Sequence, residues 1–334
     1  MVTRRLGSNG PELSRAGFGT WVAGGPWKFG WGPVDDDESV AAIRYALESG
    51  VTWIDTAPVY GLGHAEEVVG RAIEPFRAGE DVFVFTKCGR TWDRTAPEIA
   101  YDLRPDSIRR ECEQSLRRLG VERIDLYQFH WPDRVTGTPV KESWAAMGEL
   151  VDEGKVRYLG VCNFDVRLLE QCEAVRHVDS LQVPVSLLSR YARETLIAWC
   201  AANGTGVIAY SPLGGGLLSG SFTRERLDRL PPDDWRRRAA PFQEPKLSQN
   251  LALIERLESI AERLGYTVAA LAVAWVLAVP RVTAAIVGAR RPAQVDGWLP
   301  APDVELDDQT LAELERLLEE TGAGTMEPPQ PPPA

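Results

Sequence analysis

Asp55 closes the apolar run Val51-Thr52-Trp53-Ile54, and Tyr60 follows in a turn rich in proline and glycine. A core needs neither a carboxylate at a strand's end nor a phenol on the next loop. A phenol titrates at about 10 and is a weak acid at neutrality. An ammonium beside it stabilises the phenolate and lowers that value. Lys87, at the end of DVFVFTK, is the cation this chemistry asks for, and Asp55 can hold it as an ion pair. His130, at the end of IDLYQFH, can hydrogen-bond a substrate oxygen or help relay the proton. The set reads as a phenol tuned to act as general acid toward a developing alkoxide.

Polar residues end one apolar segment after another: Asp55, Lys87, His130, Cys162 with Asn163, Gln182, Ser211 and Gly288. Each has an ordinary reading when taken alone, as a helix cap, a solvated lysine or a satisfied core histidine. Their recurrence at segment ends points to one shared face. The segments are continuous apolar runs, as expected for strands covered by helices on both sides. Eight strand–helix units predict a closed (β/α)8 TIM barrel, whose active sites lie where the C-terminal strand ends meet. Asn9-Gly10 predicts a β-hairpin plugging the opposite end, and the last helices form a C-terminal extension. The barrel is expected over residues 1–321, followed by a poorly ordered Pro-rich tail over 322–334. A long interruption, Pro212 to Leu247, carries Gly214-Gly215-Gly216 and Arg236-Arg237-Arg238. An open doubly wound sheet is the alternative architecture. Its dinucleotide fingerprint is missing, because Val22 follows Gly17-Phe18-Gly19 where a third glycine belongs.

The 334 residues carry a formal net charge of −11, which argues against nucleic acid or an anionic membrane as the main partner. Five cysteines without CxxC spacing read as reduced thiols, with no disulfide framework and no metal site. The N-terminus has no secretory h-region, and the longest apolar run, Val268 to Pro280, is too short to span a bilayer. These features predict a cytoplasmic protein acting on a small molecule. Neither a GxSxG elbow nor a metal cluster is present, so something else must supply the nucleophile or the electrons.

WIDTAPVYG, VFTKCG, LYQFHWPD, YLGVCNF, IAYSPLGGGLLSG and AAIVGARRPAQV resemble the aldo-keto reductase superfamily, in its order and spacing over nearly the whole chain. The DDWRRRAAPFQEP segment and the GARRPAQ ending are most similar to its bacterial general-stress branch. The resemblance implies reversible, NADPH-dependent reduction of aldehydes or ketones. Hydride would come from the nicotinamide and the proton from Tyr60, with Asp55, Lys87 and His130 completing the catalytic set. It implies that Asn163 and Gln182 hold the carboxamide, with Asp55 and Cys162 close by, and that Tyr210 stacks on the nicotinamide. Ser211, Leu213 and Gly215 would approach the pyrophosphate, and Arg236 would close over it. Gly19, Thr20 and Trp21 would line the inner end, while Gly288, Arg290 and Gln294 would meet the adenosine end. Arg290-Arg291 at a helix start suits a 2′-phosphate.

Three positions depart from the family's pattern: Cys162 for serine, Trp298 for an adenine-binding asparagine, and Val185 for an aromatic. Trp21, Trp27, Trp31, Trp92 and Trp131 fall on loops of the same face, and Trp21, Trp27, Trp92 and Trp131 suggest an apolar or aromatic carbonyl pocket. The alternative function is an NADP(H)-binding barrel that senses redox state with slow turnover, like the superfamily's potassium-channel β subunits. Those carry asparagine where this chain has His130, which favours the enzyme.

Overall fold

The computed structural model describes residues 1–93, 98–232 and 234–330. An N-terminal hairpin pairs β1 (Thr3–Arg5) with antiparallel β2 (Glu12–Ser14). Then come β3 (Ala16–Gly19), α1 (Asp36–Glu48), β4 (Trp53–Asp55), α2 (His64–Ile73) and β5 (Phe83–Cys88). A small hairpin, β6 (Arg90–Trp92) with β7 (Ile99–Tyr101), leads into α3 (Pro105–Leu119) and β8 (Ile124–Phe129). The alternation continues through α4 (Val140–Asp152), β9 (Val156–Cys162), α5 (Val166–Glu173), β10 (Ser180–Pro184), α6 (Leu196–Asn203) and β11 (Gly206–Tyr210). After α7 (Arg224–Asp228), α8 (Lys246–Leu264) and α9 (Val268–Ala278) comes β12 (Val282–Gly288). The chain ends with α10 (Pro292–Val295) and α11 (Asp308–Thr321).

Strands β3, β4, β5, β8, β9, β10, β11 and β12 close in that order into a parallel barrel, the (β/α)8 architecture expected. Local chemistry sets the helix limits. Asp35 caps α1 by accepting the amides of Asp37 and Glu38 at 2.9 and 3.1 Å. Pro105 opens α3 and Gly120, at φ 67°, ends it. Helix α9 is apolar all round and is buried along nearly its whole length; among the described residues no single helix is long and apolar enough to cross a membrane.

Side chains alternate across a strand, so every second residue points into the barrel. The lower interior is a dry layer of Trp53, Phe85, Leu126, Ile208 and Ala284, closed by Leu6 and Leu13 of the first hairpin. The Trp53 and Phe85 rings pack at a tilt with centroids 5.2 Å apart, and the Trp53 indole donates to the Ser14 carbonyl at 2.8 Å. The plug is therefore tied to the layer it covers. Two residues further along the same faces stand Asp55, Lys87, Gln128 and Tyr210.

The expected hairpin is present, with Asn9-Gly10 in the connection between β1 and β2; one expectation differs. The start of the Pro-rich tail is packed: Ala323 is buried, and the Thr325 amide donates to the Leu188 carbonyl at 3.1 Å. Backbone hydrogen bonding outweighs the disorder tendency of that composition. Residues 331–334 lie outside the described residues.

Candidate active site

The Lys87 ammonium is buried at the upper end of the barrel, 2.5 Å from Asp55 Oδ1 and 2.9 Å from the Thr56 carbonyl. Its strand is braced from outside: Thr86 donates to Glu66 of α2 at 2.6 Å, and Arg118 of α3 closes on the same carboxylate at 2.6 Å. The ammonium stands 5.2 Å from the Tyr60 ring centroid, and the His130 ring meets Tyr60 edge-on at 5.6 Å. The four residues of the expected acid–base set thus converge from β4, its following loop, β5 and the end of β8.

Tyr60 is carried by a hydrogen-bonded turn, its amide donating to Ala57 and its carbonyl accepting from Ala65, each at 3.1 Å. Gly24 and Gly61 meet back to back over it. A Cβ on Gly61 would lie 2.0 Å from the Gly24 carbonyl oxygen, and Gly61 has φ 65°. Only glycine satisfies both demands, so the loop after β3 can cover the phenol.

The electrostatics correct one expectation. Burial raises the Tyr60 phenol to about 12, and the Lys87 charge only partly offsets that rise. Desolvation of the phenolate outweighs a single ammonium already neutralised by Asp55. Burial also disfavours the charged lysine, but the charges and hydrogen bond of its neighbours, Asp55 foremost, outweigh that and raise its value. His130 is pushed well below its ordinary range by burial and then by the charges of Lys87 and Arg90. The imidazole is neutral at physiological pH.

A buried amide cluster lies beside the ion pair. Asp55 Oδ2 accepts Gln182 Nε2 at 2.9 Å and Gln128 Nε2 at 3.2 Å. Asn163, at φ 61°, donates to the His130 carbonyl at 3.2 Å and accepts the Tyr210 hydroxyl at 2.8 Å. Thr20 is buried, its amide donating to the Asp55 carbonyl at 3.0 Å. Cys162 is buried as well, and burial raises its thiol strongly. Gly19 and Gly288 are register partners on β3 and β12.

Above this floor lie two aromatic groups. Trp27, Phe29, Trp92 and Leu62 gather about Tyr60 on a base of Ala57, Val59 and Ile99; Trp27 is 6.2 Å from Tyr60 by centroids. Trp21, Trp31 and Trp235 form the other, with centroids 5.2 to 5.6 Å apart. Arg236 lies 4.5 Å over the Trp31 ring and is held in a fork by Asp234 at 2.7 and 2.9 Å. Arg290 donates to the Trp31 carbonyl, and its amide reaches Gln294 Oε1 at 2.7 Å. Beside this group run Ser211 at φ 53° and Gly214, Gly215 and Gly216 at φ 55°, 67° and 96°; Leu213 is half-buried. Such left-handed backbone leaves room for an anion.

Some sequence expectations come apart here. The arginine run splits, with Arg236 buried and Arg237 and Arg238 exposed. Trp298 is a core residue, 1 % exposed. Val185 is buried in the same core. Trp131 is half-buried and joins neither aromatic group among the described residues. Sequence reasoning overlooked Gln128 and Trp235. Strand phase was the available signal for Gln128, which follows inward-facing Leu126 by two residues, as Lys87 follows Phe85. For Trp235 there was none, because an irregular segment carries no periodicity.

The chain matches the aldo/keto reductase family over residues 15–319. It is 35% identical to "Aldo-keto reductase YhdN" of Bacillus subtilis, covering 95% of this chain and 93% of that protein. It is 33% identical to the "NADH-specific methylglyoxal reductase" of Escherichia coli, over 94% and 97% respectively. A solved structure, the glycerol dehydrogenase AKR11B4 of Gluconobacter oxydans, superposes with a TM-score of 0.86 at 38% identity, covering 99% of this chain and 98% of that one. With the buried Asp55–Lys87 pair, Tyr60 and His130 at the barrel's upper end, the chain belongs to the aldo/keto reductase family and is an oxidoreductase that reduces carbonyl groups.

Proposed function

We propose that the protein is an NADPH-dependent reductase of aldehydes and ketones, working reversibly, with Tyr60 as proton donor. The observation that carries this reading is the buried Lys87 ammonium, fixed by Asp55 and Thr56 and set against the Tyr60 ring. A bound nicotinamide supplies the hydride. Tyr60, protonated throughout the neutral range at about 12, gives its proton to the carbonyl oxygen as negative charge develops there. Lys87 stabilises the resulting phenolate, and neutral His130 is free to hydrogen-bond the same oxygen.

Preference for the phosphorylated cofactor is supported by Arg236 and Arg290. Burial and then the Arg236 charge hold Arg290 below its ordinary value. An anion such as a 2′-phosphate would offset the crowding of charge and compensate the guanidinium's desolvation. The left-handed glycines 214 to 216 fit a pyrophosphate, and the aromatic group of Trp27, Phe29 and Trp92 fits an apolar carbonyl substrate. Absorbance of NADPH followed with a panel of aliphatic and aromatic aldehydes tests the reading. Turnover with several aldehydes, faster with NADPH than NADH, is expected; an NADH preference would overturn the cofactor assignment, and no turnover would overturn the reductase.

A further inference from the structure

Gln128 is fully buried on β8, facing Lys87 of β5 on one side and Gly160 of β9 on the other. A Cβ on Gly160 would stand 3.0 Å from Gln128 Cγ, so the glycine makes space for this side chain. Gln128 Nε2 donates to Asp55 Oδ2 at 3.2 Å, while its Oε1 accepts Gln182 Nε2, also at 3.2 Å. The Cys162 thiol approaches the same Oε1 at 3.9 Å. Gln182 Nε2 meanwhile donates to Asp55 Oδ2 at 2.9 Å. Both N–H bonds of Gln182 are thereby engaged, and its Oε1 makes no hydrogen bond among the described residues.

We propose that Gln128 is a positioning residue with two effects. It holds Asp55 Oδ2 so that Oδ1 stays on Lys87, and it locks the Gln182 amide with only a carbonyl oxygen left to offer. A flipped Gln128 would set its own oxygen against the Asp55 carboxylate, so the pair of amides has one favourable orientation. Gln182 can then accept an N–H from a cofactor carboxamide and cannot donate to it. One buried amide thus links cofactor recognition to the lysine that serves the acid. The inference rests on Asp55, Lys87 and Tyr60 being the working site.

The test compares Gln128→Met, which keeps the volume and removes both hydrogen bonds, with Gln128→Glu. Gln128→Met is expected to lower kcat and weaken NADPH binding, read by quenching of tryptophan fluorescence, each by on the order of tenfold. In Gln128→Glu the new carboxyl faces Asp55 from β4, the Lys87 ammonium from β5 and the Cys162 thiol from β9, with Tyr60 and His130 above. Burial and Asp55 raise its pKa, and Lys87, already paired with Asp55, offsets only part of that rise. Protonated, it can donate to Asp55 as the amide does; ionised, it repels it. Activity and NADPH affinity of Gln128→Glu should therefore stand close to wild type at acid pH and fall as pH rises, while Gln128→Met stays low at every pH. Wild-type kcat and affinity in Gln128→Met, or parallel pH profiles for the two variants, would overturn the proposal. So would failure of both to fold by circular dichroism, which would make Gln128 a plain core residue. If Gln128→Met alone fails to fold, the pH profile of Gln128→Glu decides. Tyr60→Phe is the control for the underlying reading. An active Tyr60→Phe removes that reading, whereas an inactive one beside silent Gln128 variants removes only the role of Gln128.

Discussion

The lower and upper layers of the barrel interior are carried by the same strands, two residues apart. Below are Trp53, Phe85 and Leu126; above are Asp55, Lys87 and Gln128. Apolar residues at the first set of positions remove water and close on the hairpin plug. With Gln182, the polar set keeps an ion pair and two amides out of water, which stabilises little by itself but holds a phenol against an ammonium. The apolar layer thus supplies stability, and the polar layer above it holds the groups that do chemistry.

Substitutions in the two layers should separate stability from turnover. Lys87→Met should have the largest effect. It strands the Asp55 carboxylate, with a cost of about 3–5 kcal/mol in denaturant unfolding, and it also lowers turnover by on the order of 10²-fold or more. Wild-type stability in this variant would mean that Asp55 does not depend on the lysine. Leu126→Ala comes next, expected to lose about 2–5 kcal/mol on unfolding while leaving turnover per folded molecule nearly unchanged. A large fall in kcat there would show that the layers are not separable. Smaller again is Arg290→Ala, outside both layers. Affinity for NADPH should drop on the order of tenfold, with NADH little affected; equal losses for both would show that Arg290 does not read the 2′-phosphate.

Much of this arrangement was legible in the sequence because period and chemistry agree in the strands. Lys87 and His130 end long apolar runs, so their strand-end positions could be read directly. Gln128 was hidden because it sits within LYQFH, where a polar letter among apolar ones reads as noise unless the strand's phase is counted. The hairpin of β6 and β7 escaped because three-residue strands show no usable alternation. The loops that bring Trp21, Trp31 and Trp235 together follow no period, so only tertiary structure reveals that cluster. Net burial is likewise unreadable from residue types. The sequence places a cation beside Tyr60, yet the phenol is raised because desolvation exceeds that charge.

Single-turnover hydride transfer in Tyr60→Phe, followed by NADPH absorbance and paired with quenching of tryptophan fluorescence, tests most directly whether the phenol delivers the proton. A loss of turnover on the order of 10²-fold or more, with cofactor quenching retained, is the expected result. Near-normal turnover with the cofactor bound would contradict it and move the acid elsewhere in the upper layer.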